Sequence, residues 1–246
     1  MEYLAFDLEI ADDLPEEGRW QDHAPLGITC AATYDHEGKS DLFFGPVQSG
    51  GRHRDRMSKV ECLSLMWFLV DATKRGVPIV GWNSLGFDLQ VLAYETGAWG
   101  QIRDLARYEH VDPAFQMLCE KGYMVGLDTA CQGMGVEGKL EEVGGARAPE
   151  MWRDSREDQE KVLEYVQQDA RITGLLYAAI VEKGRLDWIT RSGNHSTWQP
   201  RTAFGGGKRL LTVGACLKLP EPDTSWMTSA RPRSDFAGWL EMPEVQ

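Results

Sequence analysis

The sequence predicts an α/β fold: a mixed sheet flanked by helices. Three observations carry this. A period-two apolar pattern opens the chain at residues 3–9, two further short strands follow around a turn, and the longest helical pattern comes late, at 155–183. Taken in order, Leu4, Phe6 and Leu8 share one face of the first strand, and Ala5, Asp7 and Glu9 share the other. Residues 26–34 form a second strand, 35–39 a turn, and 41–44 a third strand, which together make an antiparallel meander. Residues 57–75 carry helical spacing and stop at Gly76. Residues 78–82 are a short apolar strand, and a helix follows over 88–95. Two short helices are expected at 112–121 and 127–133, and Gly133 to Pro149 reads as loop. The long helix runs from a Ser155 cap to Gly184.

The 246 residues are 42% hydrophobic and 26% charged, which is globular composition and excludes a disordered or collagenous chain. The longest nearly unbroken apolar run, Cys62 to Val70, is far short of the roughly 20 residues that span a bilayer, so no membrane partner is expected. No basic, apolar leader opens the sequence. The five cysteines form no CxxC pair, and reduced thiols in a cytoplasmic protein are the expectation. The formal charge of −12 argues against coating nucleic acid by bulk charge. It is uneven: residues 1–184 carry a net −14, residues 185–246 a net +2, and the stretch 185–220 a net +5. Residues 185–246 also hold four of the nine tryptophans and five prolines. They are read as a C-terminal extension, 185–246, packed on a domain of residues 1–184.

Three carboxylate patterns stand out, each with a plain alternative. Asp7 and Glu9 sit two apart on one strand face. On a central strand both would be buried, which is costly without a cation between them, and oxygen ligands suit Mg²⁺ or Mn²⁺. On an edge strand both would face water. Asn83, Phe87 and Asp88 follow the apolar strand, where Asp88 could simply cap a helix. Tyr165 and Asp169 lie one turn apart on the long helix, a spacing that an ordinary amphipathic helix also produces.

The three patterns in this order, D-x-E, N-x-x-x-F-D and Y-x-x-x-D, resemble the DEDD superfamily of 3′–5′ exonucleases in its Tyr-containing branch. The nearest likeness is to the proofreading domains of family-B DNA polymerases and their stand-alone relatives. The resemblance covers roughly residues 1–184 and implies a ribonuclease H-like fold. It implies that Asp7, Glu9, Asp88 and Asp169 hold two divalent ions, Mg²⁺ or Mn²⁺, and that Tyr165 orients the attacking water. A phenol ionises only near pH 10, so it positions water rather than deprotonating it. Asn83 and Phe87 match positions that support the second motif and the terminal nucleotide. The branch with a histidine places it where this chain has Glu164. Ile10 and Ala11 follow Glu9 where many relatives have Thr, at a backbone that meets the terminal sugar. The acidic segment 12–23 is a longer insertion than the family pattern suggests.

The implied activity is hydrolysis of single-stranded 3′ ends to 5′-mononucleotides, with DNA preferred and RNA open. Grip on the strand is assigned to the basic strip holding Arg201, Lys208 and Arg209, where Trp188, His195 and Trp198 are interleaved. A second basic group, Arg52, Arg54, Arg56 and Lys59, precedes the first helix. Either group could equally be solvated surface. Asp112 and Asp128 are read as helix-capping or supporting acids. Gly205-Gly206-Gly207-Lys208 lacks the full phosphate-loop pattern and is rejected as one. Two other readings are a silent nucleic-acid-binding module of the same fold, and an exonuclease subunit with a protein partner on 185–246 or 12–23.

Overall fold

The computed structural model describes residues 1–138, 144–203 and 209–241. Its centre is a five-stranded mixed sheet of order β3-β2-β1-β4-β5. The strands are β1 (Leu4–Ile10), β2 (Ile28–Asp35), β3 (Ser40–Phe44), β4 (Ile79–Val80) and β5 (His110–Val111). β1 pairs antiparallel with β2 and parallel with β4, so the strand bearing Asp7 and Glu9 is central rather than an edge. The register of β1 and β2 shifts between Glu9 and Ile10, where the ladder slips from Glu9↔Cys30 to Ile10↔Ile28.

The period-two pattern sets the two faces. Leu4, Phe6, Leu8 and Ile10 are buried in one core with α1 (Lys59–Lys74) and α2 (Asp88–Thr96). Ala5, Cys30 and Ala32 face the other way, against the long helix. Between these helices and the last long one lie α3 (Trp99–Asp104), α4 (Pro113–Lys121), α5 (Leu127–Met134) and α6 (Ala148–Asp154). Then comes α7 (Arg156–Lys183), 28 residues and about 42 Å long at 1.5 Å per residue. Its Ser155 Oγ accepts from Asp158 N, Glu157 and Asp158 sit in its first turn, Lys183 in its last, and Gly184 closes it with φ 70°. α7 lies close on β1 and β2: a Cβ on Gly174 would stand 2.8 Å from the Tyr3 ring and 3.3 Å from Ala5 Cβ.

Ser58 and Glu61 form a capping box at the start of α1. The turn at 35–39 is held by Asp35 Oδ1, which accepts from Glu37 N and Lys39 N at 2.9 Å each. Before α7, two α-helices were not expected: α3, and α6, which begins inside the stretch read as loop.

Beyond α7, β6 (Leu186–Ile189) and β7 (His195–Trp198) form an antiparallel hairpin against α5. The short helices α8 (Val213–Cys216) and α9 (Ser234–Ala237) follow, standing where strands and loops were expected. Leu186, Trp188 and Trp198 join one core, and Val213, Phe236 and Trp239 join the other. All five cysteines are buried. Burial pushes Cys62 and Cys119 up to about 12 and holds the Cys30 and Cys216 thiols well above their ordinary range. Among the described residues, no helix is long and apolar enough to cross a membrane.

Candidate metal centre

The sheet ends unevenly, and the site forms where it does. On β1, only Leu4 and Ala5 pair with β4, so β1 outruns its parallel neighbour. Past that point Leu8 N donates to Asp88 Oδ1 at 3.3 Å. Asp88 therefore meets the backbone edge that β4 leaves open, and the cap position of α2 belongs to Phe87, with no side-chain cap bond. Asp88 is buried, at 6% exposure.

On the face of β1 toward α7, one carboxylate oxygen from each of Asp7, Glu9 and Asp169 lies within 4.8 Å of the others. Glu9 and Asp169 are buried, at 6% and 3% exposure, and Asp7 is half-buried. Tyr165, one turn before Asp169 on α7, is also buried. Three carboxylates this close repel one another in a poorly solvated place, and a divalent cation with hard oxygen ligands relieves that repulsion. The donor set fits Mg²⁺ or Mn²⁺ chemistry. Asp88 stands outside this group of three, linked to it through β1.

A second buried acid lies at the same end of the sheet. Asp112, just after β5, accepts from Asn83 N at 3.0 Å, Leu85 N at 3.1 Å and Phe115 N at 3.0 Å. It caps α4 and holds the loop between β4 and α2. Burial raises its carboxyl to about 6 against the pull of those amides. Beside it, His110 Nδ1 faces Ile79 O at 3.1 Å and Nε2 faces Ser84 Oγ at 2.9 Å. A carbonyl only accepts, so Nδ1 carries the proton and Nε2 accepts from the serine. Burial lowers His110 to about 4, so it is neutral at pH 7. The reading of Asp112 as capping and supporting is what the structure shows. The Ser84–His110 pair gave no signal in sequence.

Asn83 adopts φ 63°, and its buried Oδ1 has no hydrogen-bond partner among the described residues. Phe87 packs edge-on against Trp20 at 5.2 Å. Ile10 is buried, and Arg153 Nη1 donates to Ala11 O at 2.8 Å. Asp128 accepts from Gln132 Nε2 within its own helix.

Two residues of the basic strip are placed by their bonds. Arg209 reaches Gly76 O at 3.4 Å, before β4 begins and at the opposite end of the strand from Asn83. The backbone of Arg201 bonds Glu120 and Gln116 on α4. Lys208, like Gly205-Gly206-Gly207, lies outside the described residues. Trp188 and Trp198 are core, and His195 is exposed. In the other group, Arg52 bonds the carbonyls of Trp152 and Arg153, Arg54 pairs with Glu61, and Arg56 pairs with Asp12.

A central strand with acids on one face, a mixed sheet and helices on both sides define the ribonuclease H-like class. The profile of the RNase_H superfamily matches residues 34–181, more than half of the chain, and the chain belongs to that superfamily. The match includes Asp88, Tyr165 and Asp169 and begins after Asp7 and Glu9. Among solved structures, the chain is similar to the family B DNA polymerase of the hyperthermophilic archaeon Pyrobaculum calidifontis. The TM-score is 0.50 and the identity 21%, over 74% of this chain and 24% of the polymerase. The chain thus spans about a quarter of that polymerase's length. No curated protein matches the chain.

Proposed function

We propose that this protein is a metal-dependent 3′–5′ exonuclease acting on single-stranded nucleic acid, DNA in preference to RNA, and releasing 5′-mononucleotides. The observation that carries the reading is the meeting of Asp7, Glu9 and Asp169 within 4.8 Å, one turn of helix from Tyr165. The superfamily and the polymerase likeness agree with it.

Asp7, Glu9 and Asp169 are the residues to hold the metal, with Asp88 acting from beside β1. Bound there, a pair of divalent ions would lower the pKa of the attacking water and stabilise charge on the phosphoryl and leaving 3′ oxygens. Tyr165 positions that water with its hydroxyl. Asp112 keeps Asn83 and Leu85 in place and so fixes where α2 begins. Phe87 and Asn83 supply an aromatic and an amide contact to the strand end, with the backbone near Ile10 beside the terminal sugar. We assign residues 1–184 the chemistry and residues 185–246 a supporting extension. Arg201, Lys208 and Arg209 remain the proposed phosphate contacts for the distal strand.

The test is digestion of 5′-labelled single-stranded DNA and RNA of one sequence, with Mg²⁺, with Mn²⁺ and with chelator. Expected is a metal-dependent ladder shortening from the 3′ end that Asp7→Ala abolishes. Cleavage that persists in chelator or in Asp7→Ala overturns the reading. So does a complete lack of cleavage with either metal.

A further inference from the structure

A cavity of about 690 Å³ opens along α2, in the size range of ligand clefts. It is built by the acidic insertion (Gly18 to Gln21), by α2 with Asn83, and by the C-terminal segment Arg231 to Trp239. Phe87, Gln90 and Tyr94 fall at helical spacing along α2 and line it. Asp88, which meets β1, is turned about 100° from Phe87 on the same helix. The cavity thus contains none of the four carboxylates, and its lining residue Phe87 directly precedes Asp88.

Its chemistry is specific. Trp20 meets Phe87 at 5.2 Å and Tyr94 at 6.0 Å, Tyr94 meets Trp99 at 4.8 Å, and Trp99 meets Trp239 at 6.3 Å, all edge-on. Such a wall offers ring surface to a flat guest. Asn83 lines the cavity as well. Gln21 and Gln90 are already matched, Nε2 to Oε1 at 2.9 Å. Two cations line the space. Arg231 lies 4.4 Å over the Phe236 ring and 3.7 Å from Asp235, and Arg19 is exposed with no ion pair among the described residues. The far side is set by the C-terminal segment: Trp239 Nε1 donates to Leu85 O at 3.0 Å, and a Cβ on Gly86 would strike the Phe236 ring at 2.7 Å.

Aromatic side chains and cations lining one cavity in an otherwise acidic chain match one ligand class: an unstacked nucleobase with its phosphate. We infer that this cavity holds one nucleotide of the substrate strand, set back from the nucleotide being released. The inference rests on the nuclease reading of the carboxylate centre. It assigns the insertion and the C-terminal segment a shared role, which is to grip the strand.

The experiment measures binding of 5′-fluorescein 12-mer DNA strands with Ca²⁺ replacing Mg²⁺, each strand carrying one abasic position counted from the 3′ end. Expected is one position, behind the terminal nucleotide, where loss of the base weakens wild-type binding about tenfold, the scale of one stacked base. Trp20→Ala should weaken the intact strand by a similar factor and erase that positional penalty. Arg19→Ala, an exposed change that leaves the core intact, should weaken the strand a few-fold. Penalties that stay the same in both variants, or a flat scan in the wild type, overturn the inference. So does a flat scan with free AMP displacing the strand, which would make the cavity a site for loose nucleotides. Hydrolysis of the p-nitrophenyl ester of thymidine 5′-monophosphate by the wild type reads the carboxylates alone. Its failure beside a Trp20-dependent positional penalty would sink the exonuclease reading and leave the cavity standing.

Discussion

Two buried acidic places sit at the same end of the sheet, and they are stabilised by opposite means. Asp112 is a single carboxylate surrounded by backbone amides, and it fastens a loop. Asp7, Glu9 and Asp169 are three carboxylates crowded within 4.8 Å of one another. Burial of an acid is therefore no mark of a metal site. What separates the two is crowding: one carboxylate bonded by three amides fastens a loop, and three carboxylates within 4.8 Å of one another suit a cation. The first should matter to stability and the second to chemistry.

The sharpest way to break this contrast is Asp7→Asn. The expected loss of strand hydrolysis is about 10³-fold or more, about 4 kcal/mol of transition-state stabilisation, while the metal-free melting temperature holds or rises. A melting temperature that falls steeply would make Asp7 a structural acid like Asp112. Asp112→Ala should do the reverse. It leaves three backbone N–H groups without their acceptor and should cost about 3 kcal/mol in urea unfolding. Metal addition sharpens the contrast further. Mn²⁺ at about 100 times its dissociation constant should stabilise the wild type by about 2.7 kcal/mol, and Asp169→Asn by much less.

A pH series separates the partners of the Asp112 network. The raised carboxyl of Asp112 means the folded state holds its proton more tightly, so this group adds stability as pH falls from about 6 toward 4. His110 is lowered to about 4, so its contribution is full above 6.5 and is lost as pH falls through 4. The two oppose each other over the same window. Asp112→Asn removes only the first, so the variant's stability relative to wild type should drop further as pH is lowered from 6.5 to 4. A constant difference across that window would refute the pairing. The smallest effect expected is from Arg153→Ala. Its pair with Asp13 is exposed, its bond to Ala11 O is partly buried, and the cost should stay near 1 kcal/mol and shrink in salt.

Much of this was legible in the sequence because the signals were local. Alternation placed Asp7 and Glu9 on one strand face, Ser155 and Gly184 bounded α7, and Asp88 fell just past a strand. The edge-strand alternative for β1 fell because β4 pairs on its far side, a fact of topology that no residue pattern states. β5 is two residues long and α8 four, too short for any period to show. α6 was hidden by the glycines before it. The positive φ of Asn83 is fixed by Asp112, 29 residues away. The place of the basic strip is not written in the sequence either. Charge density along a chain is not charge density in space, and Arg209 is held at Gly76, just before β4.

The five buried thiols carry a practical consequence. With none at the surface and the four ionisations cited above pushed upward, alkylating reagents should reach them only when a piece of the protein opens. Cys30 lies opposite Glu9 in the β1–β2 ladder, and Cys216 sits in α8. Labelling rates at these two sulfurs therefore act as clocks placed in different parts of one molecule. If a cation bound at the carboxylates slows the clock at Cys30 more than the one at Cys216, the strand pair and the C-terminal segment open independently. If both slow equally, they open as one unit.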